Sequence, residues 1–109
     1  MLKVQYNESR NEIGFSFTGK LDTVTSQQAG EIIREKIAGI IGQEPPEAMP
    51  GVHVVFDLQD VNYIASSFIR ICVDMVKHAG TSGFSIVNCD PFIKKTFKIA
   101  GLDEILKIS

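Results

Sequence analysis

Residues 52–80 constrain this chain more than any other part of it. Val52, Val54, Val55, Phe56 and Leu58 make an almost unbroken apolar run. It is rich in β-branched side chains, the pattern of a strand covered on both faces. Gln59 and Asp60 then read as a polar turn and residues 61–64 as a short apolar step, before Ser66 and Ser67 open a second apolar segment. A serine hydroxyl accepts one of the free amides of a first helical turn, so the sequence predicts a helix that starts near Ser66, with Ser66 as its cap, and ends at Gly80. Buried strand, short loop and capped helix are the parts from which open α/β sheets build their sites.

The flanking segments alternate in the same way. Leu2, Val4 and Tyr6 alternate with polar residues, as do Ile13, Phe15 and Phe17, which predicts two strands joined as a hairpin through residues 7–12. Thr25 with Gln28 fits a capping box. Ala29, Ile32, Ile33, Ile37, Ile40 and Ile41 then trace one helical stripe that Gly42 ends. Glu31 and Glu35 lie one turn apart on the polar face of that helix and are read as solvated charges rather than an acid–base pair. Residues 43–51 hold three prolines and are expected to form a loop. After a turn at residues 80–83, residues 84–89 read as the next strand. Asp90 and Pro91 mark a helix start, Ile93, Phe97 and Ala100 form its inner stripe, Lys94, Lys95 and Lys98 lie outside, and Gly101 suits its end. Residues 102–108 fit a short helical turn, a last strand, or both. Strands alternating with helices after a hairpin imply a mixed sheet with helices packed on it.

Composition narrows the function classes. A chain of 109 residues is expected to form one domain, 1–109, and 44% hydrophobic residues suffice for a real core. The net charge of −2 and the scattered basic residues leave nucleic-acid binding without electrostatic support. No apolar run approaches the roughly 20 residues of a membrane span, and the start lacks the apolar core of a signal peptide. The expectation is a cytoplasmic protein without membrane insertion, in which Cys72 and Cys89 are free core thiols. There is no Gly-rich phosphate loop, CxxC, HExxH or Gly-x-Ser-x-Gly. His53 and His78 have no Cys or His at ligand spacing. No enzyme, metal or cofactor is therefore expected, and a Ser-His-Asp site assembled through space is the one enzymatic reading left open.

Four short motifs carry a resemblance. They are Phe56-Asp57-Leu58 followed by Val61, the Gly19-Lys20-Leu21-Asp22 loop that precedes it in the chain, Ala65-Ser66-Ser67-Phe68, and Ala100-Gly101-Leu102. They resemble the strand and turn, the Gly-x-Leu-Asp loop, the Asp-Ser-Ser-Gly site and the small-Gly-Leu ending of the STAS domain family, of the anti-sigma-factor-antagonist type. The likeness spans nearly the whole chain. It implies a small α/β domain with a four- to five-stranded mixed sheet and helices packed on it. It also implies a non-enzymatic interaction module that regulates transcription by partner switching. Its partners would be an anti-sigma factor that is also a serine kinase, and a phosphatase that reverses the mark. Ser66 would be the phosphorylated residue, with Ser67 the less favoured acceptor. Asp22, Ala65, Ser66, Ser67, Phe68 and Arg70 would meet the partner.

Three positions depart from the family: Ala65 replaces the aspartate, Phe68 the glycine, and Arg70 a residue that is often small. The departures favour a second reading, a constitutive scaffold or a soluble accessory subunit of a transport system with no working phosphosite. A third reading is a weak anion- or nucleotide-binding domain that uses the amides at the Ser66 helix start. Arg70, one turn after Ser66, is expected to pair either with a phosphate there or with Asp74. Phe68, Ile71, Met75 and Ala79 form a second apolar stripe beside Ile69, Cys72, Val73 and Val76. That stripe predicts a contact surface, for a partner or a homodimer, centred on Phe68.

Overall fold

The first two strands pair as their alternation requires. In the computed structural model, which describes residues 2–41, 52–80 and 83–109, β1 (Leu2–Asn7) runs antiparallel to β2 (Glu12–Leu21), with Leu2 opposite Phe17 and Val4 opposite Phe15. The proline-rich segment 43–51, the helix stop at Gly42 and the Thr81-Ser82 part of the turn lie outside the described residues.

The helix α1 (Thr23–Ile41) leads to β3 (His53–Ile64), and α2 (Ser66–Ala79) leads to β4 (Phe84–Val87). The helix α3 (Pro91–Ile99) precedes the two-residue β5 (Lys107–Ile108). The strand order is β1-β2-β3-β4-β5, and each pairing after the hairpin is parallel. Five strands in a mixed sheet therefore match the expected architecture, and residues 102–108 supply both a turn and a last strand.

One core joins the sheet to all three helices. Ile13, Phe15, Phe17, Val54, Phe56, Leu58, Phe84 and Ile86 pack with Ala29, Ile33 and Ile37 of α1, Phe68 and Cys72 of α2, and Ile93 and Phe97 of α3. The rings stack mostly edge to face: Phe56 lies 5.0 Å from Phe17 and 4.8 Å from Phe84, the geometry that aromatic quadrupoles favour. The alternate strand positions Val55, Asp57, Ser85 and Val87 are only half-buried. The central strand is thus fully covered on one face rather than both.

Several local expectations are corrected. The polar turn at Gln59 and Asp60 does not form; β3 continues through it. The reason is β2, which pairs with β3 as far as Leu21–Ile64, while β3 takes up one extra residue at each of two register shifts, between Asp57 and Asp60 and between Val61 and Tyr63. Gly19 has a φ of 89°, a conformation that suits glycine at such an irregularity. The cap of α1 is Asp22 rather than Thr25: Asp22 Oδ1 accepts both the amide and the hydroxyl of Thr25 at 2.9 Å. Ala100 is exposed rather than part of the inner stripe of α3. There Gly101, at φ 77°, and Leu102 donate their amides back to Lys98 and Phe97 and close the helix.

Candidate functional site

The parallel pairing of β2 with β3 decides which loops meet. Leu21 lies beside Ile64, and the Ala65 amide donates to the Leu21 carbonyl at 2.8 Å. Asp22 and Ser66 each follow directly on one of these paired positions. The two segments that sequence reading singled out are therefore neighbours at the carboxyl ends of adjacent strands.

Ser66 is the first residue of α2, not its cap. The cap position belongs to Ala65, which has no side-chain group to offer the helix, so the first-turn amides of α2 receive no side-chain cap. The Ser66 side chain is exposed, so its hydroxyl faces solvent at the positive end of a helix. Ser67 differs: its hydroxyl oxygen is buried against α1, without a hydrogen-bond partner among the described residues. It lines an open cleft with Thr23, Ser26, Gln27 and Arg34.

Phe68 corrects the expected contact surface. It is 0% exposed, with its ring 5.3 Å from Phe17 and 5.8 Å from Phe56. A side chain in that position holds the first turn of α2 to the sheet and presents nothing to a partner. The rest of its stripe (Ile71, Met75 and Ala79) packs partly against the core. Ile71 does so against α1, where a Cβ on Gly30 would stand 3.4 Å from its methyl group. Arg70 and Asp74 are both exposed, and no ion pair joins them.

Asp22 is electrostatically prepared. Its hydrogen bonds from the Thr25 amide and hydroxyl hold its carboxyl below the usual carboxylate range. Two exposed residues near these strand ends escaped the sequence reading: Val24 in the first turn of α1, 63% exposed, and Tyr63, next to last in β3, 51% exposed. Val24 was detectable, since it falls outside the stripe of Ala29, Ile33 and Ile37. Tyr63 was not, because the strand's two-residue period breaks between buried Val61 and buried Ile64. The ends of β2 and β3 and the first turns of α1 and α2 thus carry an exposed carboxylate, an exposed hydroxyl, Arg70 one turn on, and two exposed apolar groups.

The two thiols lie apart from these helix starts. Burial pushes the Cys72 thiol well up and that of Cys89 to about 11, so both remain protonated near neutrality. Among the described residues no group of three or more His, Cys, Asp or Glu is placed to hold a metal ion, and no described helix is long and apolar enough to cross a membrane. Each crossover steps to the neighbouring strand in one direction. The strand order therefore never reverses, and no switch-point crevice of the nucleotide-binding kind opens.

Comparison with known proteins agrees with this architecture. The anti-sigma factor antagonist SpoIIAA in its unphosphorylated form superposes with a TM-score of 0.67 at 20% identity, over 100% of this chain and 88% of that one. The phosphorylated form of SpoIIAA, a Bacillus cell fate determinant, gives 0.64 at 16% identity, covering 100% and 91%. An anti-sigma factor antagonist from Mycobacterium paratuberculosis gives 0.74 at 22% identity, covering 99% and 83%. No curated protein sequence is similar enough to count as a match. The STAS domain family model matches residues 3–109, and by that match, on a five-stranded mixed sheet with three helices, the chain belongs to the STAS domain family.

Proposed function

We propose that this chain is a non-catalytic interaction module of the anti-sigma-factor-antagonist type, switched by phosphorylation of Ser66. The observation that carries the reading is the state of that hydroxyl: exposed, on the first residue of α2, and beside Asp22. A partner kinase would transfer the γ-phosphoryl group of ATP to Ser66 Oγ, releasing ADP and the hydroxyl proton. The phosphate would lie at uncapped helix amides, one turn from Arg70, so the fold would tolerate it. It would add up to about two negative charges to the docking surface and repel a partner that bound the neutral serine. Asp22, Val24, Tyr63, Ala65 and Ser66 are the proposed contacts. Burial of Phe68 removes bulk that would otherwise obstruct a kinase. The buried hydroxyl of Ser67 makes it the poorer acceptor.

The test is site mapping of phosphate after incubation with the cognate kinase and ATP. One phosphate on Ser66, lost in Ser66→Ala, is expected. No incorporation, or phosphate on Ser67 alone, overturns the switch. That outcome favours the second reading, a constitutive scaffold or transport accessory subunit, which the alanine at position 65 supports.

A further inference from the structure

The helix α3 has two apolar faces where a surface helix needs one. Ile93 and Phe97 fill the core, yet Phe92 and Ile99 point away from it, 82% and 77% exposed. Phe92, Lys95 and Ile99 follow at spacings of three and four residues and so form one outward line. Beside that line lies an open groove of about 740 Å³ between α3 and the edge strand β5, walled by Lys94, Lys95, Lys98, Ile99, Asp103 and Ile108. Within α3 there is no acidic residue, although the whole chain carries a net charge of −2. None of its three lysines makes an ion pair among the described residues.

We propose that this face is a second docking surface, which takes an acidic amphipathic helix of a partner protein. The charge and the shape select that occupant. Three lysines against the one carboxylate of Asp103 leave the groove net positive, which calls for carboxylates. Phe92 and Ile99 are two turns apart, about 10 Å along the axis, the spacing at which a partner helix repeats its apolar residues. An anionic bilayer shares the charge but not the form, because the lysines and Ile99 line a groove rather than a flat face. The site sits along the β4–β5 side of the sheet, apart from the β2–β3 ends that carry Asp22 and Ser66, and it does not depend on Ser66 being phosphorylated.

The test is fluorescence anisotropy with a labelled helical peptide of about five turns, leucines along one face and glutamates beside them, against the same peptide with lysines for glutamates. The intact protein is expected to bind the acidic peptide and to lose affinity with added salt. Lys95→Glu and Ile99→Ser, both exposed and checked for folding by circular dichroism, are each expected to weaken binding about tenfold or more. Ser66→Asp is expected to leave it unchanged. Equal binding of both peptides, no binding of the acidic one, or indifference to both variants overturns the proposal. So does lysine-dependent capture on phosphatidylglycerol–phosphatidylcholine vesicles without peptide binding, which assigns the face to lipid. Self-association abolished by Ile99→Ser overturns it in favour of a second copy.

Discussion

Two helices begin at the carboxyl ends of adjacent parallel strands, α2 after β3 and α3 after β4, and they are secured differently. At α3, Asp90 accepts the Phe92 amide at 2.7 Å and Pro91 supplies the first helical residue. At α2, Ala65 offers no such bond. The first-turn aromatics are reversed to match. Phe68 is sunk in the core, whereas Phe92 stands in solvent. A helix start can be held by a hydrogen bond at its end or by a side chain packed beneath it. Where a cap does the holding, the first-turn aromatic is left for other uses. Where packing does it, the terminal amides and the nearby hydroxyl stay uncommitted, and a phosphate can use them.

The largest expected effect tests the packing half of this contrast. Phe68→Ala should cost about 3–5 kcal/mol in urea unfolding, the range for a buried aromatic whose neighbours relax only in part. Phe92→Ala should stay within about 0.5 kcal/mol, as exposed positions do. Similar losses at both sites would end the comparison. Asp90→Ala should follow at about 1 kcal/mol, the cost of a lost cap.

The contrast also shows where sequence reasoning reached its end. The hairpin, the three helices and the inward stripe of Ile93 and Phe97 were legible because periodicity reports burial directly. The start of α3 was legible because Asp and Pro each act through their own local chemistry. The start of α2 was misread. Serine can cap a helix, but whether it does depends on the backbone, and pairing of Ala65 with Leu21 places the cap one residue earlier. Phe68 was read as surface because two adjacent apolar stripes on one helix do not say which of them the sheet takes. That depends on Phe17 and Phe56, far away in sequence. The outward Phe92 and Ile99 were hidden in the same way, since an apolar residue beside lysines carries no local mark of its direction.

Smaller effects sharpen the comparison at α2 itself. Ala65→Asp supplies the missing cap and should raise stability by about 0.5–1 kcal/mol. The new carboxylate would also compete with a phosphate for the same amides. Asp22 gives a pH test. Because its folded-state pKa is depressed, the α1 cap is complete above the unfolded value, about 3.9, and is lost as pH falls through the lower folded value. The Thr25 amide resonance should therefore shift with a midpoint below about 3.9; a midpoint at or above it would remove the electrostatic account of this loop.

The smallest expected effect is the most discriminating. Ser66→Ala should change stability by less than about 0.5 kcal/mol, because the Ser66 hydroxyl makes no capping bond and faces solvent. A serine acting as the cap would instead cost about 1 kcal/mol on the same substitution. A near-zero result in urea unfolding means that Ser66 contributes nothing to the fold that alanine cannot. The reason for a serine there must then lie in what approaches it from outside. A full capping loss would place the hydroxyl on the helix amides and make α2 begin as α3 does.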